Sequence, residues 1–333
     1  MQRAEIVKRS LSHQSSDHTP YCINFTRDAS AKYRDQVQRT YFTPHLKDAV
    51  EQGRFTHDEA FSIAIGSHVF CVLEKPWWGW YDVPDSYKLN PDTPEFLPKT
   101  IGTGSYEGFT DKLKYLKDTT DCYTLVMVYG SHFEKANACR GIENFLADLA
   151  GAKSYAKSLL DTIIRKNMVM LENFAHIPEI DGILLGSDWG SQQSMLMSPA
   201  TWRELIAPGE KQEYDLIHEA GKDVWIHSCG SIEAIIPDLI EMGVDVLNPI
   251  QPEVMDIFAL KDKYGSSLSF WGGISTQHTL PYGSPDEVVA ETTRAVEHMG
   301  RSGGYILAPA QEIQDDVPWE NIEALIHTAQ ALG

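Results

Sequence analysis

The chain has 333 residues, with 28 Lys or Arg against 47 Asp or Glu, so its formal net charge is -19 at pH 7. This acidic excess argues against binding to nucleic acids or anionic membranes, because both need clustered basic side chains. The length fits a single domain spanning 1–333, and no Ser/Gly-rich linker or repeat divides it. No apolar run reaches a membrane span, the N-terminus lacks a signal-peptide stretch, and the five scattered cysteines are typical of reduced thiols. We therefore expect a cytoplasmic protein.

The pattern in chain order predicts strands that alternate with helices. Three early strands are predicted at Cys22–Phe25, Val69–Leu73 and Thr124–Val128. Five clearer strand-and-helix units follow, with strands at 182–186, 223–229, 244–249, 268–271 and 305–310. One helix is predicted to start at Ser198-Pro199 and to stop at Gly221, and another to start at a capping box formed by Ser284 and Glu287. Two more are predicted from about Met255 to Tyr264 and from about Pro318 to Leu332.

Repeated strand-and-helix units indicate a parallel sheet, either open or closed into a barrel. No G-x-G-x-x-G run occurs in a strand-to-helix turn, which argues against a dinucleotide-binding sheet. The five clear strands end in polar or glycine residues, namely Asp188, His227 with Cys229, Asn248 with Gln251, Gly273, and Gln311 with Glu312. In a barrel these ends meet at one mouth, where active sites lie. We therefore predict an α/β fold, a (β/α)8 TIM barrel with an N-terminal helical extension.

The strand that ends in His227-Ser228-Cys229-Gly230 is the strongest candidate for chemistry. Residues two apart on a strand point to the same side, so His227 and Cys229 form a nitrogen and sulfur ligand pair of the kind that zinc selects. The alternative is a hydrogen-bonded His227 beside a small buried Cys229. Asp188 is a candidate catalytic residue that binds substrate, acts as a base or orients His227, and its alternative role is capping a turn.

Several other residues are candidates for substrate binding. Trp77 to Tyr81 form a dense aromatic loop that is suited to walling an apolar pocket, with Trp78 at its centre. The remaining candidates are Asn24, Trp189, Gln192, Asn248 and Gln251. For each, packing or a structural hydrogen bond is the alternative role.

The chain resembles the uroporphyrinogen decarboxylase superfamily over nearly its whole length, and within it the zinc-dependent, corrinoid-linked methyltransferases. The resemblance rests on Gly186 to Gln192, Ser198-Pro199 with Trp202 and Pro208, His227 to Gly230, Gly243 to Asn248, Phe270 to Ile274, and Pro318 with Glu320-Asn321. The decarboxylases of this superfamily share an arginine-rich R-Q-A-G-R-Y loop that grips propionates. This chain has no such loop in the equivalent region, 19–26, so a polycarboxylate substrate would leave charges unpaired.

The resemblance implies a zinc ion held by His, Cys and a second Cys ten residues before the asparagine of a P-x-E-N motif. Pro318 to Asn321 supply that motif, and counting back ten reaches Gln311. We therefore expect His227 and Cys229 as metal ligands, with Gln311 or Glu312 as the third. A His, Cys, Gln shell leaves a net charge of about +1 on the ion, whereas Glu312 restores neutrality. A polar barrel mouth without metal is the alternative.

The resemblance also implies a reaction. We expect a methyltransferase that moves a methyl group between a small methylated donor or acceptor and the cobalamin (methylcobalamin when methylated) of a separate corrinoid protein. Such a reaction amounts to demethylation of the donor, and the resemblance implies that zinc assists it. Two alternatives stay open: a decarboxylase or lyase of the same superfamily that acts on a small acid, and a non-catalytic ligand-binding barrel. A homodimer is compatible with each.

Overall fold

The computed structural model describes residues 1–72, 106–128 and 130–332. Within them, seven strands neighbour one another in the sheet in chain order. They are β1 (Val69–Val72), β2 (Tyr123–Val128), β3 (Gly182–Gly186), β4 (Asp223–His227), β5 (Val246–Ile250), β6 (Ser269–Ile274) and β7 (Tyr305–Pro309). The pairs β3 with β4, β5 with β6, and β6 with β7 are parallel. Each of these strands overlaps a predicted one, although Leu73 lies outside the described residues. β4 ends at His227, so Cys229, predicted on the same strand, lies two residues beyond its end.

Four helices precede β1; the first belongs to the predicted N-terminal helical extension, and the other three lie between the segment 20–25 and β1. They are Arg3–Leu11, Arg27–Thr40, Pro44–Glu51 and His57–Ala64. The last three begin after Thr26, Thr43 and Thr56, whose hydroxyls accept a backbone N–H of the first turn. The longer helices that follow are Tyr106–Thr119, His132–Arg140, Ile142–Gly151, Lys153–Phe174, Ala207–Glu219, Ile236–Glu241, Ile257–Tyr264, Pro285–Ala295 and Trp319–Leu332. Within the described ranges, no helix combines the length and the apolar character needed to cross a membrane.

The chain divides into two compact units, which are described separately. The first comprises 1–71, 114–125 and 245–333, and the second comprises 72–113 and 126–244. In the first unit all residues of β6 and β7 are buried, as expected for parallel strands that are covered on both faces. Helices Pro285–Ala295 and Trp319–Leu332 pack against each other.

The N-terminal segment 20–25 occupies an eighth strand position in the first unit. Tyr21 and Phe25 form parallel bridges with Leu307 and Ile313. The Cys22 N–H donates to the Leu307 carbonyl at 2.9 Å, and on the other side the His68 N–H donates to the Tyr21 carbonyl at 2.8 Å. The segment therefore lies between β7 and the residue that precedes β1, where an eighth barrel strand belongs.

In the second unit, β3 pairs with β4 from Gly182 opposite Asp223 to Gly186 opposite His227. The helix between these strands opens at Ser198, whose Oγ accepts the Thr201 N–H at 3.1 Å, and it passes through a π turn at Trp202–Ile206 before Ala207–Glu219. Gly221, at φ +71, follows its end as predicted. Such π turns recur near functional sites.

Candidate metal centre

Three potential ligands meet at the carboxyl ends of β3 and β4. The pairing of Gly186 with His227 places Asp188, two residues beyond β3, next to the end of β4. His227 Nε2 lies 3.3 Å from Cys229 Sγ and 3.6 Å from Asp188 Oδ1. The same carboxylate oxygen accepts the Cys229 N–H at 2.9 Å. The structure thus brings together the three residues to which the sequence assigned catalysis.

Two glycines allow the two loops to approach this closely. Gly230 has φ +84, and a Cβ there would lie 2.5 Å from the carbonyl carbon of Gly190. A Cβ on Gly190 would lie 2.7 Å from the Cys229 carbonyl oxygen. The loops are also joined by a hydrogen bond from the Ser231 N–H to the Ser191 carbonyl at 2.8 Å. The separation of Asp188 from Cys229 therefore depends on two positions that lack side chains.

The Asp188 backbone is held from a third segment. Its N–H donates to Glu134 Oε1 at 3.1 Å, from the helix that follows β2. Burial, together with repulsion from Asp188, raises the pKa of Glu134 although this hydrogen bond acts in the opposite direction. Sequence reasoning did not select Glu134. The available signal was its place just after a strand of the parallel sheet, the same signal that selected Asp188.

The geometry fits one tetrahedral ion. Zinc bonds of about 2.0 to 2.3 Å to nitrogen, oxygen and sulfur place neighbouring ligand atoms about 3.3 to 3.6 Å apart. The two measured separations, 3.3 and 3.6 Å, fall in that range. The His227 side chain is 7% exposed and that of Asp188 is 43% exposed, so the cluster has a solvent-facing side. The residues present therefore suit a zinc ion.

Two other predicted site residues lie in the same unit. Trp189 is buried, and its ring lies edge-to-face on Trp202 with the ring centroids 5.3 Å apart. The backbone N–H of Trp189 donates to Ser228 Oγ at 3.1 Å. Its indole Nε1 is buried without a hydrogen-bond partner in the described part of the chain. Gln192 is exposed. Trp78 and its aromatic loop lie outside the described residues.

The remaining predicted site residues belong to the first unit. Asn24 Nδ2 lies 3.5 Å from Cys22 Sγ and 3.4 Å from Cys71 Sγ, and Asn248 Nδ2 donates to the Trp271 carbonyl at 3.2 Å. Gln251 is buried, Gln311 is partly buried and Glu312 is exposed. Their roles, including that of Gln311 or Glu312 as a metal ligand, stay predictions.

Comparison with known proteins gives both sequence and structural relatives. The family model described as Uroporphyrinogen decarboxylase (URO-D) matches residues 98–332. The chain is 30% identical over 131 residues to "Methylcobamide:CoM methyltransferase MtaA" of Methanosarcina barkeri, covering 39% of this chain and 36% of the relative. The protein of the same name from strain Fusaro is 29% identical over 133 residues, with the same shares. The match thus spans little more than a third of either curated relative.

A "methyltransferase from Methanosarcina mazei" superimposes on 99% of this chain and 99% of its own, with a TM-score of 0.72 and 16% sequence identity. At this identity the likeness shows the fold alone. Together with the strand order and the eighth strand position, it confirms the predicted barrel fold class.

Proposed function

The chain belongs to the uroporphyrinogen decarboxylase (URO-D) family, and from this membership we propose that it is a methyltransferase. It moves a methyl group between a small methylated compound or acceptor and the cobalamin of a separate corrinoid protein. The observation that carries the proposal is the cluster of Asp188, His227 and Cys229, which offers a zinc ion three ligands at the carboxyl ends of two adjacent strands. Support for methyl transfer comes from the relatives, which are named methylcobamide:CoM methyltransferases.

A zinc ion at this centre would supply a Lewis acid that lowers the pKa of a bound thiol or polarises a methylated donor. His227 would hold the ion through a neutral nitrogen at the end of β4, and Cys229 would hold it as a thiolate. The hydrogen bond from the Cys229 N–H to Asp188 Oδ1 fixes the carboxylate beside them. Glu134 accepts a hydrogen bond from the Asp188 backbone N–H and so holds that residue as well. The chain's own groups therefore orient the ligands before an ion arrives.

The charge of the ligand set bears on the reaction. One thiolate alone leaves a divalent ion with a net charge of about +1, which favours capture of an anion. Asp188 would add a second negative charge, so Cys229 and Asp188 together would neutralise the ion. A neutral centre better supports a bound nucleophile. Asp188 thus compensates for the absence of a second cysteine at position 311.

Decarboxylation of uroporphyrinogen is disfavoured by the sequence itself, because the region 19–26 lacks the arginine clamp that the propionates of that substrate require. A decarboxylase or lyase for a smaller acid, and a binding barrel without catalysis, are kept as outcomes of the test.

The test follows the absorption spectrum of cobalamin, free or on a corrinoid protein, during incubation with methoxy-aromatics, methylamines and thiols. We expect demethylation or methylation of cobalamin with at least one compound, and a loss of at least 100-fold in the Cys229→Ser variant. Cys139→Ser is the matched control, because Cys139 is a buried thiol on the helix His132–Arg140 with no place in the centre.

Turnover that survives Cys229→Ser would remove the metal centre from the mechanism. Release of carbon dioxide without any change in cobalamin would favour the decarboxylase alternative. Tight ligand binding without either reaction would favour the binding barrel.

A further inference from the structure

The second unit contains another group of ligand-type side chains, away from the strand ends. His132 begins the helix that follows β2, and Glu210 and Glu213 lie three residues apart on one face of the helix Ala207–Glu219. Their side chains are 0%, 1% and 0% exposed. Three ionisable groups without access to water are costly unless they neutralise one another or bind an ion.

The distances among these groups are those of ligands around one ion. His132 Nδ1 lies 3.1 Å from Glu210 Oε1 and 3.8 Å from Glu213 Oε2. A metal with bonds of about 2.0 to 2.1 Å to nitrogen and oxygen separates tetrahedral ligands by about 3.3 to 3.4 Å. The two measured distances lie on either side of this value. All three ligand atoms lie within 4.8 Å of one another.

The three side chains make further hydrogen bonds, one of them at Glu210 Oε1, which itself faces the centre. His132 Nε2 contacts the Ile206 carbonyl oxygen at 3.0 Å, at the end of the π turn. Glu210 Oε1 accepts from Ser131 Oγ and Glu210 Oε2 accepts from Tyr214 Oη, both at 2.7 Å.

Glu213 Oε1 accepts from Asn167 Nδ2 at 2.6 Å. Metal ligands are commonly oriented in this way by hydrogen bonds to the atoms that do not touch the ion.

Two atoms that face the centre lack such partners. Within the described residues, His132 Nδ1 and Glu213 Oε2 are buried and make no hydrogen bond of acceptable geometry. Buried polar atoms without partners are rare in folded proteins, and an ion between them is one way to satisfy both. The two atoms lie at ion-pair distance, 3.8 Å from each other, and His132 Nδ1 lies 3.1 Å from Glu210 Oε1, but neither contact has the geometry of a hydrogen bond.

The electrostatics favour a cation at that point. Burial alone lowers the pKa of His132, but Glu210 and Glu213 outweigh it and raise that pKa to about 9. A proton on His132 Nδ1 contributes one positive charge against the two carboxylates of Glu210 and Glu213. A divalent ion beside a neutral His132 contributes two. The ammonium of Lys135, which donates to Asn167 Oδ1 at 2.7 Å, adds a positive charge at the edge of the group, so that a protonated His132 and Lys135 together also balance the two carboxylates. A metal-free ion-pair network is therefore the competing arrangement that the experiment must separate.

We propose that His132, Glu210 and Glu213 form a second, structural metal site that binds one divalent first-row ion, manganese or zinc. Nitrogen and oxygen ligands without a thiolate suit these ions, and burial of all three ligands is typical of closed, structural sites. The site is distinct from the centre at Asp188, His227 and Cys229, and its existence does not depend on the proposed methyl transfer.

This second site is linked to the first through two serines. Ser131, whose Oγ donates to Glu210, also contacts Ser187 Oγ at 2.5 Å, and its N–H donates to the Gly186 carbonyl at 2.6 Å. Ser187 directly precedes Asp188. An ion at the second site would therefore rigidify the end of β3, which carries a ligand of the first.

The test is elemental analysis of the full chain, expressed with added zinc and manganese and then freed of loosely bound metal. We expect two ions per chain in the wild type, one in Glu213→Gln, one in the double variant His227→Ala with Cys229→Ser, and none in the combination. Glu219→Gln is the matched control, because Glu219 is an exposed glutamate on the same helix. It should retain two ions.

Metal content in Glu213→Gln equal to that of the wild type would overturn the second site and leave the first standing. The reverse result, an ion that survives the double variant and is lost from Glu213→Gln, would support the second site and refute the first.

If Glu213→Gln does not fold, the double variant provides a second measurement. It is unfolded with chelator and refolded with or without Mn²⁺, an ion that prefers oxygen ligands to thiolate. Saturation should raise its Tm by about 5 °C. An unchanged Tm with Mn²⁺ and, in a parallel refolding, with Zn²⁺ would overturn the proposal.

Discussion

Replacing Gly230 with alanine should disrupt the first metal centre without touching a ligand. The new Cβ would lie 2.5 Å from the carbonyl carbon of Gly190, whereas ordinary contacts begin at 3.4 Å, so the two loops must separate by about 0.9 Å. Metal coordination tolerates deviations of about 0.2 Å. We therefore expect zinc affinity to fall at least 10-fold, a loss comparable to that caused by removing a partner that orients a ligand.

The structure offers a control for the backbone component of this change. Gly221 has φ +71, similar to φ +84 at Gly230, but a Cβ there meets nothing within 4 Å. Gly221→Ala should therefore cost only the left-handed backbone strain, about 1 to 2 kcal/mol. Gly230→Ala adds backbone overlap, and we expect it to cost about 2 kcal/mol more.

The assays are competition for zinc with a chromogenic chelator and thermal unfolding in the presence of excess chelator. The chelator keeps loss of the ion from contributing to the change in stability. Wild-type zinc affinity in Gly230→Ala, with a Tm no lower than that of Gly221→Ala, would refute the claim that the glycine contact sets the distance between Asp188 and Cys229.

Two further predictions concern single side chains. Asp188→Asn keeps an oxygen that can accept the Cys229 N–H but removes the carboxylate charge. We therefore expect zinc affinity and methyl transfer to fall about 10- to 100-fold, while the Tm measured with chelator stays unchanged. Full activity of this variant would return Asp188 to a turn-capping role. Burial, reinforced by repulsion from Arg3, lowers the pKa of His68 to about 4 in the folded chain. The pKa of an unfolded histidine is about 6.5, so between pH 6.5 and pH 4 the unfolded state binds the proton more readily than the folded state. Unfolding free energy should therefore drop by about 2 kcal/mol between pH 7 and pH 5 on account of His68, and urea unfolding of His68→Gln should show a correspondingly flatter dependence; identical pH slopes would contradict this assignment.

The strands and most helix starts were predictable because their signals are local. Continuous apolar runs identified β3 to β7, and the capping box at Ser284 to Glu287 is present as predicted. The helix expected from about Met255 to Tyr264 is present over Ile257–Tyr264, and its start is fixed by the Asp256 carboxylate, which accepts the N–H groups of Phe258 and Ala259. The family resemblance, which rests on combined motifs, is also confirmed.

The arrangement of the candidate site was less predictable. The sequence supplied His227 and Cys229 from their spacing on one strand, but the approach of Asp188 depends on contact between Gly190 and Gly230, which lie 40 positions apart. The sequence also did not indicate the cluster of His132, Glu210 and Glu213, because its members come together only through packing. Glu210 and Glu213 have the spacing of a solvated helix face, and only packing of the helices Lys153–Phe174 and Ala207–Glu219 shows that they are buried.

The eighth strand position has a consequence for synthesis on the ribosome. Tyr21 and Phe25 are made well before their sheet partners Leu307 and Ile313, which lie 286 and 288 positions further along the chain. The second unit lies between them in the chain and is complete by Val244. Folding during translation can therefore finish the second unit first, while the segment 20–25 waits for β7. Until β7 is made, the side of the segment that pairs with it is open, and Ile23 and Phe25, which are buried in the folded chain, lack part of their cover. We therefore expect a chaperone to bind this segment during synthesis.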